Sequence, residues 1–327
     1  MDWSGKSVLV TGADGFIGSH LVEKLVRLGA KTKALVYYNA FGRRGWLDHL
    51  ECGDRVEVIP GDIGERAIVD RALRGTETVF HLAALIGVPY SSQAPESYVR
   101  TNVQGTLTLL QAARDLGLKR FVHASTSEVY GSARYVPMDE QHPLQGRSVY
   151  AATKIGADKL VEAFHHSFDL PAVIVRPFNT FGPRQSTRAV VPTIITQCLA
   201  GDTVCLGNLH PTRDLNYVED ITEGFLAAAA SDKAVGKTIN LGSGLEISIG
   251  ELARFIAKLM HKEIAIRQDA QRLRPAQSEV ERLCADHTLA HDLLGWQPRF
   301  SLEQGLSLSI DWFKENLGKY RTDAYEV

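Results

Sequence analysis

Tyr150 and Lys154 are the side chains whose types and spacing most clearly suggest chemistry. Residues four apart on a helix share one face, so the ammonium group of Lys154 can lower the pKa of the Tyr150 phenol. The phenolate can then remove a proton from an alcohol while a nicotinamide accepts the hydride. The pair alone is weak evidence, because most such pairs are surface helix residues. It becomes specific in combination with Thr126, 24 residues earlier, and with a glycine-rich turn near the N-terminus.

The glycine-rich turn Thr11–Gly18 follows an apolar run and opens a helical stretch that continues to Gly29. Gly12, Gly15 and Gly18 allow a tight turn, a close approach of the backbone to a pyrophosphate, and helix packing against the strand. In this strand–turn–helix context the glycine spacing predicts dinucleotide binding rather than a simple tight turn.

The adenosine end of the predicted cofactor site is less clear. An Asp or Glu usually ends the second strand and binds the ribose, but this sequence has Tyr37 and Tyr38 there, followed by Arg43 and Arg44. We therefore predict that no carboxylate repels a 2′-phosphate and that an arginine could bind one, which leaves both NAD and NADP open. Asp62, after the third strand, is predicted to contact the adenine edge or to cap a helix.

Short β-rich runs alternate with helical stretches through the first half of the chain, which predicts parallel strands joined by crossover helices in a doubly wound α/β sheet. The predicted strands are 7–10, 32–38, 56–59, 78–82, 121–124 and 172–175, with helices at 97–116 and 150–168. After Arg176 the segments become shorter and richer in Pro and Gly. We predict a dinucleotide-binding domain at 1–176 and a smaller lobe at 177–327, with the strand at 238–241 able to return to the main sheet. Ser248 and Ser301 each precede a predicted helix.

Composition excludes several classes of protein. The chain has 327 residues, 44% hydrophobic and 23% charged, with a net charge of −2, so neither a nucleic-acid surface nor a membrane surface is indicated. The start has no apolar signal region, and no apolar run approaches the roughly 20 residues of a membrane helix. The four cysteines are scattered, so we expect a soluble cytoplasmic protein without a structural metal.

Several motifs in order along the chain resemble the extended short-chain dehydrogenase/reductases that act on nucleotide sugars. They are Thr11–Gly18, His81-Leu82-Ala83-Ala84, Ser125-Thr126, Tyr150 with Lys154, Arg176-Pro177-Phe178-Asn179, and Leu294-Gly295-Trp296-Gln297-Pro298. The resemblance implies a Rossmann fold, a tightly held NAD or NADP that is recycled, and a nucleotide-sugar substrate bound by the C-terminal lobe. It also implies a homodimer formed through the helices at 97–116 and 150–168. The cofactor residues it implies are Gly12, Gly15, Phe16, Ile17, Gly18, Tyr37, Asp62, Ile63, Leu82, Ala83, Ala84, Tyr150, Lys154 and Pro177.

The segment Thr126-Ser127-Glu128 bears on the type of reaction. Epimerases of this group usually have a small neutral residue where Glu128 stands. A carboxylate there can remove the proton at carbon 5 once carbon 4 is a ketone, which is the step needed for 4,6-dehydration. dTDP-glucose 4,6-dehydratases have Thr-Asp-Glu, whereas GDP-mannose 4,6-dehydratases and UDP-glucuronate decarboxylases both have Thr-Ser-Glu. The segment therefore leaves the last two activities open, and the proton donor for departing water is either a water held by Ser127 or Glu128 itself.

Segments of the C-terminal half, at 176–186, 211–218, 274–282 and 319–325, resemble the configuration-retaining UDP-N-acetylglucosamine 4,6-dehydratases of legionaminic and related nonulosonic acid pathways. By this resemblance Tyr150 and Thr126 act on the 4-hydroxyl, Lys154 holds the nicotinamide ribose and keeps Tyr150 acidic, and Glu128 removes the carbon 5 proton. Water then leaves carbon 6 and the stored hydride returns there. The implied substrate-binding residues are Thr126, Asn179, Arg188, Val191, Arg213 and Arg274.

Three other functions fit parts of the pattern: a UDP-glucuronate decarboxylase, a nucleotide-sugar 4-epimerase, and a non-catalytic dinucleotide sensor of the same fold. Glu128 disfavours the epimerase. A sensor would be expected to have lost Tyr150 or Lys154, and both are present.

Overall fold

A seven-stranded parallel sheet forms the centre of the structure, a computed structural model that describes residues 2–273 and 276–320. The strands are β1 (Ser7–Thr11), β2 (Lys31–Val36), β3 (Glu57–Pro60), β4 (Thr78–His81), β5 (Arg120–Ala124), β6 (Ala172–Pro177), β7 (Asn179–Phe181), β8 (Thr203–Leu206), β9 (Thr212–Arg213), β10 (Leu215–Tyr217), β11 (Thr238–Leu241), β12 (Ile247–Ser248) and β13 (Ala265–Gln268). The main sheet has the order β3-β2-β1-β4-β5-β6-β11. The order reverses between β1 and β4, and the crevice at such a point is where doubly wound sheets bind nucleotides.

The α-helices are α1 (Phe16–Arg27), α2 (Arg66–Leu73), α3 (Val88–Gln93), α4 (Pro95–Tyr98), α5 (Thr106–Asp115), α6 (Val149–Phe168), α7 (Val190–Ala200), α8 (Val218–Ala230), α9 (Ile249–Leu259), α10 (Thr288–Leu294) and α11 (Leu302–Asn316). A π-helical segment at Val99–Gly105 joins α4 to α5, and a 3₁₀ turn at Ser127–Tyr130 follows β5. The predicted continuous helix at 97–116 is therefore divided into three segments. Within the part of the chain that the structure describes, no helix is long and apolar enough to cross a membrane.

Both faces of the sheet are covered, which explains why its strands are apolar throughout. Successive side chains of a strand point to opposite faces, and β1 illustrates this. Val8 and Val10 pack in a core with residues of α1 and α8, whereas Leu9 packs in a second core with residues of α5 and α6. A third core, which includes Phe181, lies in the C-terminal lobe.

The structure confirms the prediction of a Rossmann-type doubly wound sheet with a smaller lobe. β11 pairs with β6 in parallel, so residues 238–241 do return to the main sheet. Capping boxes at Ser248 and Ser301 open α9 and α11, as their sequences predict. The division of the chain near residue 176 stays a prediction.

One predicted strand end is wrong, and it bears on the cofactor site. The second strand was expected to reach Tyr38, but β2 ends at Val36, whose partner in the register is Pro60, the last residue of β3. Tyr37 and Tyr38 follow the strand and are 68% and 67% exposed.

Candidate active site

Helix α6 carries both Tyr150 and Lys154, and the Ser148 side chain caps its start by accepting a hydrogen bond from the Ala151 backbone N–H. Tyr150 and Lys154 are 8% and 3% exposed. The predicted pair therefore lies at the start of a 20-residue helix and is held in the interior rather than on a solvated face.

Two residues of the Thr126-Ser127-Glu128 segment influence the pKa of Tyr150. A hydrogen bond with the Thr126 hydroxyl lowers the pKa of Tyr150, and the charge of Glu128 raises it, but burial is the largest influence and the net pKa is raised. The Thr126 hydroxyl oxygen also accepts a hydrogen bond from the Glu128 backbone N–H at 3.2 Å, which makes Thr126 the cap of the 3₁₀ turn. The chain thus brings a hydroxyl, a carboxylate and a phenol together.

The Lys154 side chain has its own buried partners. The ammonium group of Lys154 donates to the Ala124 carbonyl oxygen at 2.6 Å and lies 3.4 Å from His123 Nε2. Burial lowers the pKa of Lys154 to about 8, against the opposing charge of Asp158. Burial is the largest influence on the pKa of the Tyr150 phenol, and the lowering of that pKa by Lys154 stays a prediction.

A buried polar network behind Lys154 was not predicted from the sequence. Asp158, one helical turn further along α6, accepts hydrogen bonds from Ser125 Oγ at 2.8 Å and from Arg176 Nη2 at 2.9 Å. Burial alone would raise the pKa of Asp158, but His123, whose Nε2 lies 3.5 Å from Asp158 Oδ1, and the charge of Arg176 lower it to about 2. His123 is fully buried beside Asp158 and Lys154, and burial lowers its pKa to about 4.

The same network fixes the turn that carries Glu128. Arg176 Nη1 donates to the Tyr130 hydroxyl at 3.0 Å, and that hydroxyl donates to Asn240 Oδ1 at 2.7 Å. The Arg176 guanidinium also lies 4.9 Å from the centre of the Tyr130 ring. Because Tyr130 ends the 3₁₀ turn, β6 and β11 together hold the turn in place.

The glycine-rich turn has the shape that a dinucleotide pyrophosphate requires. Gly12 has φ +65°, and a Cβ atom there would lie 2.8 Å from the Ala83 backbone nitrogen. A Cβ atom at Gly18 would overlap the Gly12 carbonyl oxygen. Gly15 precedes α1 without any side-chain cap, so the first N–H groups of α1, at Phe16 and Ile17, can bind an anion. These residues fit the pyrophosphate of a dinucleotide.

The β1 and β4 ends of the crevice are joined by a chain of hydrogen bonds through His81. The Thr106 hydroxyl donates to the Asn102 carbonyl oxygen at 2.7 Å, so it accepts from His81 Nε2 at 2.9 Å. His81 Nδ1 then accepts from the Thr11 hydroxyl at 2.9 Å, and Thr11 accepts from the Ala83 backbone N–H at 3.1 Å. Burial keeps the pKa of His81 far below its usual value, so the neutral ring fixes the loop that contains Leu82, Ala83 and Ala84.

Asn102 and Tyr98 also shape the site, and the sequence pattern did not reveal them. The Asn102 amide bonds both the N–H and the carbonyl oxygen of Leu85, and it donates to Thr153 on α6. Tyr98 is 1% exposed and packs edge-on against the Tyr150 ring, with centroids 6.5 Å apart. Both lie in the segment read from the sequence as part of a uniform helix, where apolar spacing was the only signal.

At the adenosine end no acid directly follows β2, but Asp14 of the glycine-rich turn lies against the loop after that strand. Burial raises the pKa of Asp14, against the lowering effect of the backbone N–H of Tyr37, the residue after β2. The alternative of Asp62 as a helix cap is wrong, because Glu65 precedes α2 and the Asp62 side chain instead accepts from the Gly64 N–H at 2.8 Å. Ile63 is 5% exposed and packs in the core.

The predicted substrate residues occupy different environments. Asn179 has a buried Oδ1 without a partner among the described residues, as expected for an atom that meets a ligand. Arg213 is 7% exposed and lies 3.5 Å from Glu279. Arg188 is exposed, and its charge acts on Tyr98 beside the site. Val191 is buried in the lobe core, and Arg274 lies outside the described residues. Their roles, and that of half-buried Pro177, stay predictions.

The fold and this arrangement define a class: a dinucleotide-binding α/β protein of the extended short-chain dehydrogenase/reductase type. The chain belongs to the GDP-mannose 4,6-dehydratase family, whose model matches residues 9–308. The resemblance to extended nucleotide-sugar 4,6-dehydratases is thereby confirmed. Within residues 2–273 and 276–320 no group of three His, Cys, Asp or Glu side chains could hold a metal ion.

Relatives with several activities are similar to this chain over nearly its full length. The low-salt glycan biosynthesis protein Agl12 of Haloferax volcanii is 35% identical, covering 94% of this chain and 98% of that protein. A dTDP-glucose 4,6-dehydratase of Xanthomonas campestris is 32% identical, covering 94% and 93%. UDP-glucuronic acid decarboxylase 1 of Xenopus tropicalis is 33% identical, covering 98% and 75%.

Solved structures that are similar to this chain likewise include proteins with different activities. An epimerase of Methanothermobacter thermautotrophicus has a TM-score of 0.88 and 30% identity, covering 98% of this chain and 96% of that one. A dTDP-glucose 4,6-dehydratase of Streptomyces venezuelae, with NAD bound, has a TM-score of 0.86 and 32% identity, covering 96% and 98%. A UDP-glucuronic acid 4-epimerase of Bacillus cereus, in complex with UDP-glucuronic acid and NAD, has a TM-score of 0.87 and 31% identity, covering 95% and 99%.

Proposed function

We propose that this protein is a nucleotide-sugar 4,6-dehydratase that converts UDP-N-acetylglucosamine to UDP-4-keto-6-deoxy-N-acetylglucosamine. The observation that carries the proposal is the position of Glu128, whose carboxylate acts electrostatically on Tyr150 and whose backbone is capped by Thr126. Oxidation at carbon 4 needs Thr126 and Tyr150. The added carboxylate supplies a base for the carbon 5 proton, which elimination of water across carbons 5 and 6 requires.

Each residue has a separate task in this proposal. Thr126 donates a hydrogen bond that positions the 4-hydroxyl group, and Tyr150 in its phenolate form receives the proton of that group. Lys154, with a pKa of about 8, is largely protonated at neutral pH and can bind ribose hydroxyl groups. Glu128 is half-buried, so it remains accessible to carbon 5 of a sugar that lies over Tyr150.

The cofactor is proposed to be NAD or NADP, held by the glycine-rich turn, the first turn of α1, the 82–84 loop, Lys154 and Pro177. When bound, the nicotinamide would supply the acceptor for the hydride of carbon 4 and the donor of that hydride to carbon 6. The uncapped helix start and the close approach of Gly12 to Ala83 support this assignment.

The diphosphate is proposed to bind Arg213 and Arg188, because paired or charge-assisted arginine contacts suit phosphate oxygens. Asn179 offers its buried, unpartnered oxygen to a donor group of the substrate. The choice of UDP-N-acetylglucosamine rests on the resemblance of the C-terminal segments. The relatives named above act, by their names, on dTDP- and UDP-linked sugars.

We also propose a homodimer through the helices at 97–116 and 150–168. Val99, Leu116 and Phe168 belong to these segments and are 51%, 50% and 48% exposed, which is consistent with an apolar surface covered by a second copy. Light scattering on the purified protein should give twice the 36.0 kDa chain mass.

Incubation with UDP-N-acetylglucosamine in deuterium oxide, followed by mass spectrometry, tests the reaction. A dehydratase yields a product that is lighter by one water and carries one solvent deuterium at carbon 5. Glu128→Gln should abolish this product, whereas Glu162→Gln, on an exposed pair with Lys159, should leave it unchanged. Normal product formation by Glu128→Gln would remove the proposed base.

A UDP-glucuronate decarboxylase is the second candidate. Such an enzyme is similar to 98% of this chain, and the Thr-Ser-Glu segment fits a decarboxylase as well as a dehydratase. Release of carbon dioxide from UDP-glucuronate, with no turnover of UDP-N-acetylglucosamine, would replace the first proposal by this one. A product of unchanged mass with inverted carbon 4 would identify a 4-epimerase.

A further inference from the structure

Asp14 lies against the loop that follows β2, where Gly45 and Trp46 approach it. In Rossmann folds the ribose 2′-hydroxyl meets an acid at the end of the second strand. Here the residue after β2 is Tyr37, and its backbone N–H lowers the pKa of the Asp14 carboxyl group. The acid absent from β2 is therefore supplied by the turn between β1 and α1.

Neighbouring contacts hold Asp14 in this place. The Trp46 backbone N–H donates to the Asp14 carbonyl oxygen at 3.1 Å. Gly45, with φ +56°, approaches so closely that a Cβ atom there would lie 2.9 Å from Asp14 Cβ. Trp46 in turn packs against Trp312 of α11, with ring centroids 5.5 Å apart. The loop after β2 is thus closed over the Asp14 backbone.

Within residues 2–273 and 276–320, no positive charge offsets the Asp14 carboxylate. Among the described residues, the influences on its pKa are burial, which raises it, and two backbone N–H groups, which lower it, with no lysine or arginine contribution. Arg44 is paired with Asp48 at 2.7 Å. Arg43 is exposed, and its guanidinium lies 5.9 Å from the centre of the Phe41 ring.

We propose that Asp14 is the specificity residue that makes the protein select NAD over NADP. A ribose 2′-hydroxyl bound at the end of β2 can donate to the Asp14 carboxylate. A 2′-phosphate there would place a dianion beside a partly buried carboxylate that has no cation partner, and like charges at short range repel strongly in such surroundings. The inference rests on the proposed function, because it assumes that the crevice holds a nicotinamide dinucleotide.

The test measures binding rather than turnover. Nucleotide released from the purified protein by denaturation is identified by mass spectrometry, and cofactor-free protein is then titrated with NAD and with NADP while tryptophan fluorescence is recorded. We expect NAD to be the released nucleotide and to bind at least 10-fold more tightly than NADP, which corresponds to about 1.4 kcal/mol.

Asp14→Asn keeps the size of the side chain and one of its oxygens but removes the charge, so it should reduce the NAD:NADP ratio of affinities at least 10-fold. Asp14→Ala should also reduce the NAD:NADP ratio, because it removes the whole carboxylate group. Asp54→Asn, an exposed acid outside the site, and Arg43→Gln should leave the ratio unchanged.

Three outcomes would overturn the inference: NADP as the preferred cofactor, a ratio unaffected by both Asp14 variants, or a ratio that depends on Arg43 instead. Each of these leaves the proposed function standing, because a dinucleotide is still bound. Failure of the folded wild-type protein to bind either dinucleotide would instead refute the proposed function.

Discussion

The buried ion pair between Asp158 and Arg176 allows a quantitative prediction. Asp158 is 0% and Arg176 is 2% exposed, and their closest atoms are 2.9 Å apart. Asp158→Asn preserves the shape of the side chain but leaves the guanidinium buried without its counter-charge. Removing one member of a buried pair typically costs about 3–5 kcal/mol of stability, so the variant should unfold at a clearly lower urea concentration than the wild type at pH 7.

The pH dependence provides a second, independent magnitude. The pKa of Asp158 is lowered from 3.8 to about 2 in the fold. A carboxyl group whose folded pKa is depressed contributes stability above its unfolded pKa, and this contribution is lost as the pH falls through its folded value. The difference between the folded and unfolded pKa values of Asp158 corresponds to about 2 kcal/mol of stability. This contribution is present above roughly pH 4 and is lost towards pH 2.

Urea unfolding of the wild type and of Asp158→Asn, followed by circular dichroism between pH 7 and pH 3, measures both effects. The free energy of unfolding of Asp158→Asn should be about 2–5 kcal/mol lower than that of the wild type at pH 7, and this difference should become smaller below pH 4. Asp70→Asn, which breaks an exposed pair with Arg66, is the matched control and should change stability little. Equal losses in the two variants, or a gap independent of pH, would refute this account of the network.

Three further predictions concern the site itself. Tyr150→Phe should abolish oxidation at carbon 4, seen as no transient reduced nicotinamide absorbance, while mass spectrometry of the released nucleotide still finds bound cofactor. Gly18→Ala should prevent stable cofactor retention, because its Cβ atom would overlap the Gly12 carbonyl oxygen; nucleotide retained at the wild-type level would contradict the proposed cradle. Thr106→Val should destabilise the protein by about 1–3 kcal/mol in thermal or chemical unfolding, since it leaves the buried His81 Nε2–H without its acceptor; an unchanged midpoint would contradict the inferred direction of that hydrogen-bond chain.

Features that depend on neighbours along the chain were predictable from the sequence. The turn Thr11–Gly18, the helix with Tyr150 and Lys154, and the capping boxes at Ser248 and Ser301 were all predicted in type and near their observed positions. Their signals are local: the glycine spacing, the four-residue interval and the serine before a helix reflect the geometry of one turn or one helix. The strand alternation likewise predicted the doubly wound sheet.

The errors arose where the register between distant segments decides the outcome. β2 ends at Val36 because its pairing with β3 ends there, and no residue near Tyr37 in the sequence indicates this. The π-helical segment at Val99–Gly105 contains Asn102, whose amide bonds Leu85 and Thr153. Apolar periodicity carries no information about such a contact, so one continuous helix was the natural prediction.

The sequence by itself determined the class of fold, the cofactor turn and the chemical identity of Thr126, Glu128, Tyr150 and Lys154. Local propensity and residue spacing depend only on residues that are close together in the chain. Only the tertiary structure decided the surroundings of these groups. Desolvation raises the pKa of Tyr150, and folding brings Asp14 against the loop after β2 from another turn. Electrostatic effects depend on distance and burial in space, and chain folding sets both by joining residues that the sequence separates.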